Sequence, residues 1–226
     1  MMTMNRKWPA AALAGGLIGF AAAAYPALWR DRCLNWGARV EEATREMPGD
    51  KLLPEAPVVS TRAVGIDAPA SAIWPWLVQM GPGRGGAYTY DWIENLLGLN
   101  MHSAKEIVPE LQDLAVGATI PLGDKVRMRV EILEPEHALV MRSDDCTWVW
   151  EFGLYPEAPT APGRKLTRLV SRNRIQNPRA GMVSGALSTY LMEPGSLVME
   201  RKMLHGIKER AERLATEGRL DTEGPA

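Results

Sequence analysis

The pattern of apolar and polar positions divides the chain into an uncharged beginning, a mixed middle and a periodic end. Residues 8–29 contain no charged side chain and nine alanines, flanked by Arg6, Lys7, Arg30 and Arg32. As a helix they would reach about 33 Å, the thickness of a hydrocarbon core. This predicts an N-terminal transmembrane helix over a segment 1–32, with Trp8, Tyr25 and Trp29 at its interfaces. A secretory signal cleaved near Ala21-x-Ala23 and a buried Ala-rich helix are the alternatives.

Helical spacing over 33–47 followed by Pro48-Gly49, and then Pro54 and Pro57, predicts a juxtamembrane helix and linker over 33–57. A β-branched run at 58–66 predicts a strand. A helix carrying Ile73, Trp74, Trp76, Leu77 and Met80 follows it; Pro75 inside predicts a kink or restart. Residues 90–97 predict a short amphipathic helix closed by Gly98. Val126, Met128, Val130 and Ile132 alternate with Arg127, Arg129 and Glu131, as expected of a strand with one wet face. Further strands are predicted over 138–142, 148–155 and 166–174. Leu197, Leu204, Ile207, Ala211 and Leu214 then mark a long helix after Glu193-Pro194-Gly195, and 216–226 reads as a disordered tail. Helices segregated from a mostly antiparallel sheet make the fold class α+β, with the folded unit at 58–215.

Composition narrows the function. Twenty-six basic residues against 27 acidic ones give a net charge of -1, which supplies no general attraction to nucleic acid. Cys33 and Cys146 have neither metal-site nor disulfide-framework spacing. His102, His137 and His205 form no HExxH-type pattern, so no metal is expected. Gly81-Pro82-Gly83-Arg84-Gly85-Gly86 satisfies G-x-G-x-x-G but follows a predicted helix rather than a strand, which argues for a loop passing a cavity mouth. There Arg84 faces either an anionic group or solvent. Ser184 and Ser188 make no nucleophile elbow.

The runs at 74–98 (WPWLVQMGPGRGGAYTYDWIENLLG), 107–123, 147–156, 167–174 and 193–212 resemble bacterial members of the START-like, helix-grip SRPBCC superfamily, which includes polyketide cyclase/dehydrase-like and lipid-transfer domains. The resemblance covers about residues 56–215. It implies a curved antiparallel sheet of about seven strands around a long C-terminal helix and a hydrophobic cavity, with no metal or organic cofactor. No catalytic set comes with it.

On that architecture Trp76, Met80, Tyr88, Tyr90, Trp92, Trp148, Trp150, Met199, Met203 and Ile207 are the candidate ligand-binding residues, because large apolar and thioether side chains suit irregular apolar guests. Tyr90, Asp91 and Glu94 are the candidate proton-transfer groups. The expected function is binding, with possible transfer, of a hydrophobic molecule such as a lipid or polyketide by a single-pass membrane protein, the membrane being a second partner. A cyclase- or dehydratase-type enzyme and a scaffold with a filled cavity are the alternatives.

Overall fold

The computed structural model describes residues 25, 28–96, 98–123, 126–158, 165–176 and 188–223. Its centre is a six-stranded antiparallel sheet with strand order β1-β6-β5-β4-β3-β2. The strands are β1 (Val58–Ile66), β2 (Thr119–Leu122), β3 (Val126–Glu134), β4 (Ala138–Ser143), β5 (Trp148–Glu157) and β6 (Leu166–Ile175). One long helix, α5 (Glu193–Glu223), lies on one face together with α3 (Ala70–Val78). This is the helix-grip layout, with six strands among the described residues where about seven were expected. The strand that periodicity missed, β2, has four residues and carries Pro121. As the outermost strand it tolerates a residue that lacks a ladder donor.

The central strands β4, β5 and β6 alternate between two covered faces. On β5, Trp148, Trp150, Phe152 and Leu154 join the core beneath α5, while Val149 and Tyr155 pack on the opposite side with Leu53 and Met47. The period of two places both sets without conflict. On β3 the alternation breaks: Val130 pairs with Met141 and Ile132 with Val140, so Glu131 is an extra residue. That bulge turns Ile132 to the outer face and Leu133 to the inner one. The expected single apolar face from Val126 to Ile132 therefore ends at Val130.

Where one helix was predicted over 33–47 two short ones form, α1 (Arg30–Leu34), which stays on the α5 side, and α2 (Val40–Thr44), which with the chain from Ala38 to Pro57 covers the outer face. Between them Gly37 takes φ +72, and a Cβ there would lie 2.2 Å from the Ala63 carbonyl oxygen of β1. The chain bends because only glycine permits that angle and that approach. The cover is held by three arginines projecting outward from β6. Arg168 pairs with Glu42 at 2.7 Å, and Arg174 donates to Leu53 O, Pro54 O and Asp50. Arg172, 2% exposed, spends all five donors on Thr61 Oγ1, Asp50 and the carbonyls of Arg45, Glu42 and Ala43. Glu151 lies beneath the same cover and accepts the Gly49 N–H at 2.7 Å.

Several other expectations change. Helix α3 runs through Pro75 without a restart. Helix α5 begins at Glu193, directly after a π turn at Ser188–Met192, and continues to Glu223 through most of the stretch expected to be a tail. Pro194 fits because the first helical turn has no N–H partner to lose.

The expected single-pass membrane location is corrected. Among the described residues no helix is long and apolar enough to cross a membrane, so neither the transmembrane helix nor the membrane partner is supported. Apart from Tyr25, Leu28 and Trp29, the apolar stretch 8–29 lies outside the described residues. The described chain enters α1 with Cys33 and Leu34 buried, and Arg30 meets Glu193 at the start of α5 at 2.8 Å.

Candidate ligand-binding site

Two unfilled chambers lie between the inner face of the sheet and the helical layer. The larger, about 570 Å³, is walled by Trp148 and Trp150 of β5, Met199 and Met203 of α5, Val58, Ser60 and Arg62 of β1, and Leu34 of α1. The smaller, about 300 Å³, is walled by Leu77, Met80, Met101, Ile120, Met128 and Met141, among others. Ala87, Glu94, Trp148 and Trp150 belong to both. The chambers are therefore neighbours with a common wall. Ile175 and Met192 line the larger chamber and are 37% and 61% exposed, which marks its opening to solvent.

The walls follow from local sequence. Residues two apart on β5 share a face, so the rings of Trp148 and Trp150 stack at 5.7 Å with an interplanar angle of 16°. Met199 and Met203 are four apart on α5 and present one flexible apolar strip.

A polar floor crosses the larger chamber. Arg62 and Glu200, 1% and 7% exposed, form an ion pair between β1 and α5. Arg62 also donates to Cys33 O and Ser196 Oγ, each at 3.0 Å. Glu200 accepts from Ser171 at 2.5 Å and from Asn173 at 3.2 and 3.3 Å. The indole N–H groups complete the network: Trp148 donates to Asn173 Oδ1 at 2.8 Å and Trp150 to Ser171 Oγ at 3.1 Å. Burial pushes the Glu200 carboxyl above its ordinary value, and Arg62 pulls against that rise.

Glu94 is different. It is 7% exposed, and its Oε2 has no hydrogen-bond partner; the adjacent Thr89 Oγ1, lining the larger chamber, has none either. Burial raises its pKa; the Thr89 hydroxyl, close by though outside hydrogen-bond geometry, opposes the rise, and the charge of Asp91 adds to it. A carboxyl in this position can exchange a proton or a hydrogen bond with a guest.

Of the predicted ligand-binding residues, Trp148, Trp150, Met199 and Met203 line the larger chamber and Met80 the smaller. The other five do not line either one. Tyr90 and Trp92 are 36% and 69% exposed because they lie on the solvent side of α4 (Asp91–Leu96) and its approach. Tyr88 is buried with its hydroxyl committed to Trp76 O at 2.9 Å, and the ring of Trp76 packs edge-on against it. Ile207 is fully buried in the core. Among the proton-transfer candidates Tyr90 is exposed, and Asp91 accepts the backbone N–H and hydroxyl of Ser103 at 2.8 and 2.6 Å. Only Glu94 of the three reaches a chamber.

The glycine-rich loop is a closed turn in which Gly81 and Gly86 bridge. Gly86 has φ +70, and a Cβ there would sit 2.8 Å from the His102 carbonyl. Arg84 donates to the carbonyls of Val78, Met80 and Leu111. It therefore holds the loop rather than an anion. Among the described residues no cluster of histidine, cysteine or carboxylate side chains could hold a metal ion.

Arg62, Ser171, Asn173, Glu200 and Thr89 escaped the sequence reading. Four of them did leave a signal. Arg62 is two residues from Val64, Ser171 two from Leu169 and Asn173 four from it, and Glu200 three from Met203, so each is a polar residue at an inward position of an apolar repeat.

No known protein family and no curated protein matches the chain. Solved structures do. A Mesorhizobium loti protein, MLL2253, is 20% identical with a TM-score of 0.37, over 71% of this chain and 100% of its own. The protein KanY is 16% identical with a TM-score of 0.43, over 69% and 97%. The Polyketide_cyc-like protein Cgl2372 from Corynebacterium glutamicum is 14% identical with a TM-score of 0.34, over 76% and 96%. Similarity of this degree assigns no activity, so the functional reading rests on the chambers themselves.

Proposed function

We propose that the protein binds an apolar small molecule between the sheet and α5, with the larger chamber as the principal site. The observation that carries this is about 570 Å³ of unfilled space walled by Trp148, Trp150, Met199 and Met203. That volume lies within the roughly 300–1,000 Å³ of small-molecule sites, and its composition, mostly apolar with a few convergent polar groups, is theirs too. A scaffold packed solid by its own side chains would have no such space. An apolar guest gains by leaving water, and the exposed rim at Ile175 and Met192 gives it a route.

The test is a titration with N-phenyl-1-naphthylamine, followed by energy transfer from the protein's tryptophans. Saturable binding at one equivalent is expected, and it should be weakened in Met199→Trp, whose larger indole protrudes into the chamber. No saturable binding to the native protein, or unchanged binding to a folded Met199→Trp variant, would overturn the reading.

A further inference from the structure

We propose that the guest is not wholly apolar but carries one neutral hydrogen-bonding group, a hydroxyl or carbonyl, between two apolar portions, and that Glu94 and Thr89 bind that group beside the wall common to the two chambers. This deepens the apolar-binding reading and rests on it.

Three observations lead there. Of the buried side-chain polar atoms without a partner among the described residues, Thr89 Oγ1 and Glu94 Oε2 line this cavity. A buried polar atom left unpaired is costly, so a guest that pairs with it gains what the empty site lacks. The other principal polar groups there are already engaged: both indole N–H groups, Ser171, Asn173 and the Arg62–Glu200 pair bond to one another. Finally, Glu94 borders both chambers, so a group meeting it has apolar space on two sides, toward Met199 and Met203 in one chamber and toward Met101 and Ile120 in the other.

The surroundings also select the charge of the group. Burial and the neighbouring Asp91 both raise the Glu94 pKa, and the Thr89 hydroxyl beside it supplies one O–H donor while the carboxyl oxygen supplies an acceptor. A hydroxyl or a carbonyl satisfies that pair without bringing a charge into an apolar cavity. A cation would have to give up its hydration to enter an apolar cavity, a step that desolvation opposes.

Four probes of one shape separate the possibilities: diphenylmethane, diphenylmethanol, benzophenone and diphenylmethylamine, titrated calorimetrically into the full chain. Diphenylmethanol and benzophenone should bind about tenfold more tightly than diphenylmethane, the size expected for one well-placed hydrogen bond in a dry site. In Glu94→Leu that ratio should fall to about one while diphenylmethane still binds. Glu94→Gln, which keeps a donor and an acceptor, should retain it. Thr89→Val, which leaves the Glu94 side chain in place, should reduce the ratio and serves if Glu94→Leu does not fold. Equal binding of the alcohol, ketone and hydrocarbon by the native protein, an unchanged ratio in folded Glu94→Leu, or tightest binding of the amine would overturn the proposal and leave apolar binding standing. Failure of all four probes to bind would instead remove the apolar-binding reading itself.

Discussion

Glu151 allows a quantitative test of how the outer cover is held. It is 1% exposed, one carboxylate oxygen accepts the Gly49 N–H, and Oε1 has no partner. Burial raises its pKa from 4.5 to about 7, with Asp50 adding to the rise and the Gly49 N–H, Arg172 and Arg174 opposing it. In the unfolded chain the carboxyl titrates near its ordinary value. Between about pH 4.5 and 7 the folded state therefore holds a proton that the unfolded state has lost, and stability must fall as pH rises through that window. Once the group is ionised the accumulated loss is about 3 kcal/mol. Glu151→Gln keeps an oxygen for the Gly49 N–H and cannot ionise. Urea unfolding of both proteins from pH 4.5 to 8 should give similar stabilities at the acid end, with the variant ahead by about 2–3 kcal/mol at pH 8. A difference independent of pH, or a variant less stable at pH 8, would refute the argument that burial, rather than its arginine neighbours, governs this carboxyl.

Other substitutions probe the remaining parts. Arg62→Ala strands Glu200 in the chamber floor without its cation and should cost about 3–5 kcal/mol in urea unfolding, while Arg62→Met with Glu200→Leu should cost less than the sum of the two single changes. Gly37→Ala combines an unfavourable φ with a 2.2 Å approach to Ala63 O and should lower stability by about 2 kcal/mol, seen as a reduced Tm. Trp150→Ala removes one half of the stacked wall and should destabilise by about 3 kcal/mol, at the low end for a buried tryptophan because the ring is only partly buried and one side faces open space.

Much of the fold was legible because two periodicities stand out. The alternation on β5 put Trp148 and Trp150 together, and the spacing on α5 put Met199 and Met203 on one face with Leu204 and Ile207. What escaped depended on pairing partners that periodicity does not report. The bulge at Glu131 reverses Ile132 and Leu133, and nothing in VEILE announces it. The arginines of β6 alternate like a solvent-facing set, yet Arg172 is buried because the chain at 42–50 turns its carbonyls toward it. Glu200 stands beside Arg201 and Lys202 in a charged run of α5, yet Arg62, Ser171 and Asn173 from two strands draw it inward. The tyrosine-rich segment misled in the opposite direction: Tyr90 and Trp92 had the chemistry of pocket residues but lie on the outside of α4. Glu94, in the same short helix, is the one that turns in.

The central claim is that the space between the pleated layer and α5 holds a guest. Mass spectrometry of an organic extract of the purified full-length chain, beside an equal amount of folded Met199→Trp, tests it most directly. The account predicts an apolar compound bearing a hydroxyl or carbonyl, near one equivalent per native chain and strongly depleted from the variant. Recovery of the same compounds in the same amounts from both proteins would contradict it.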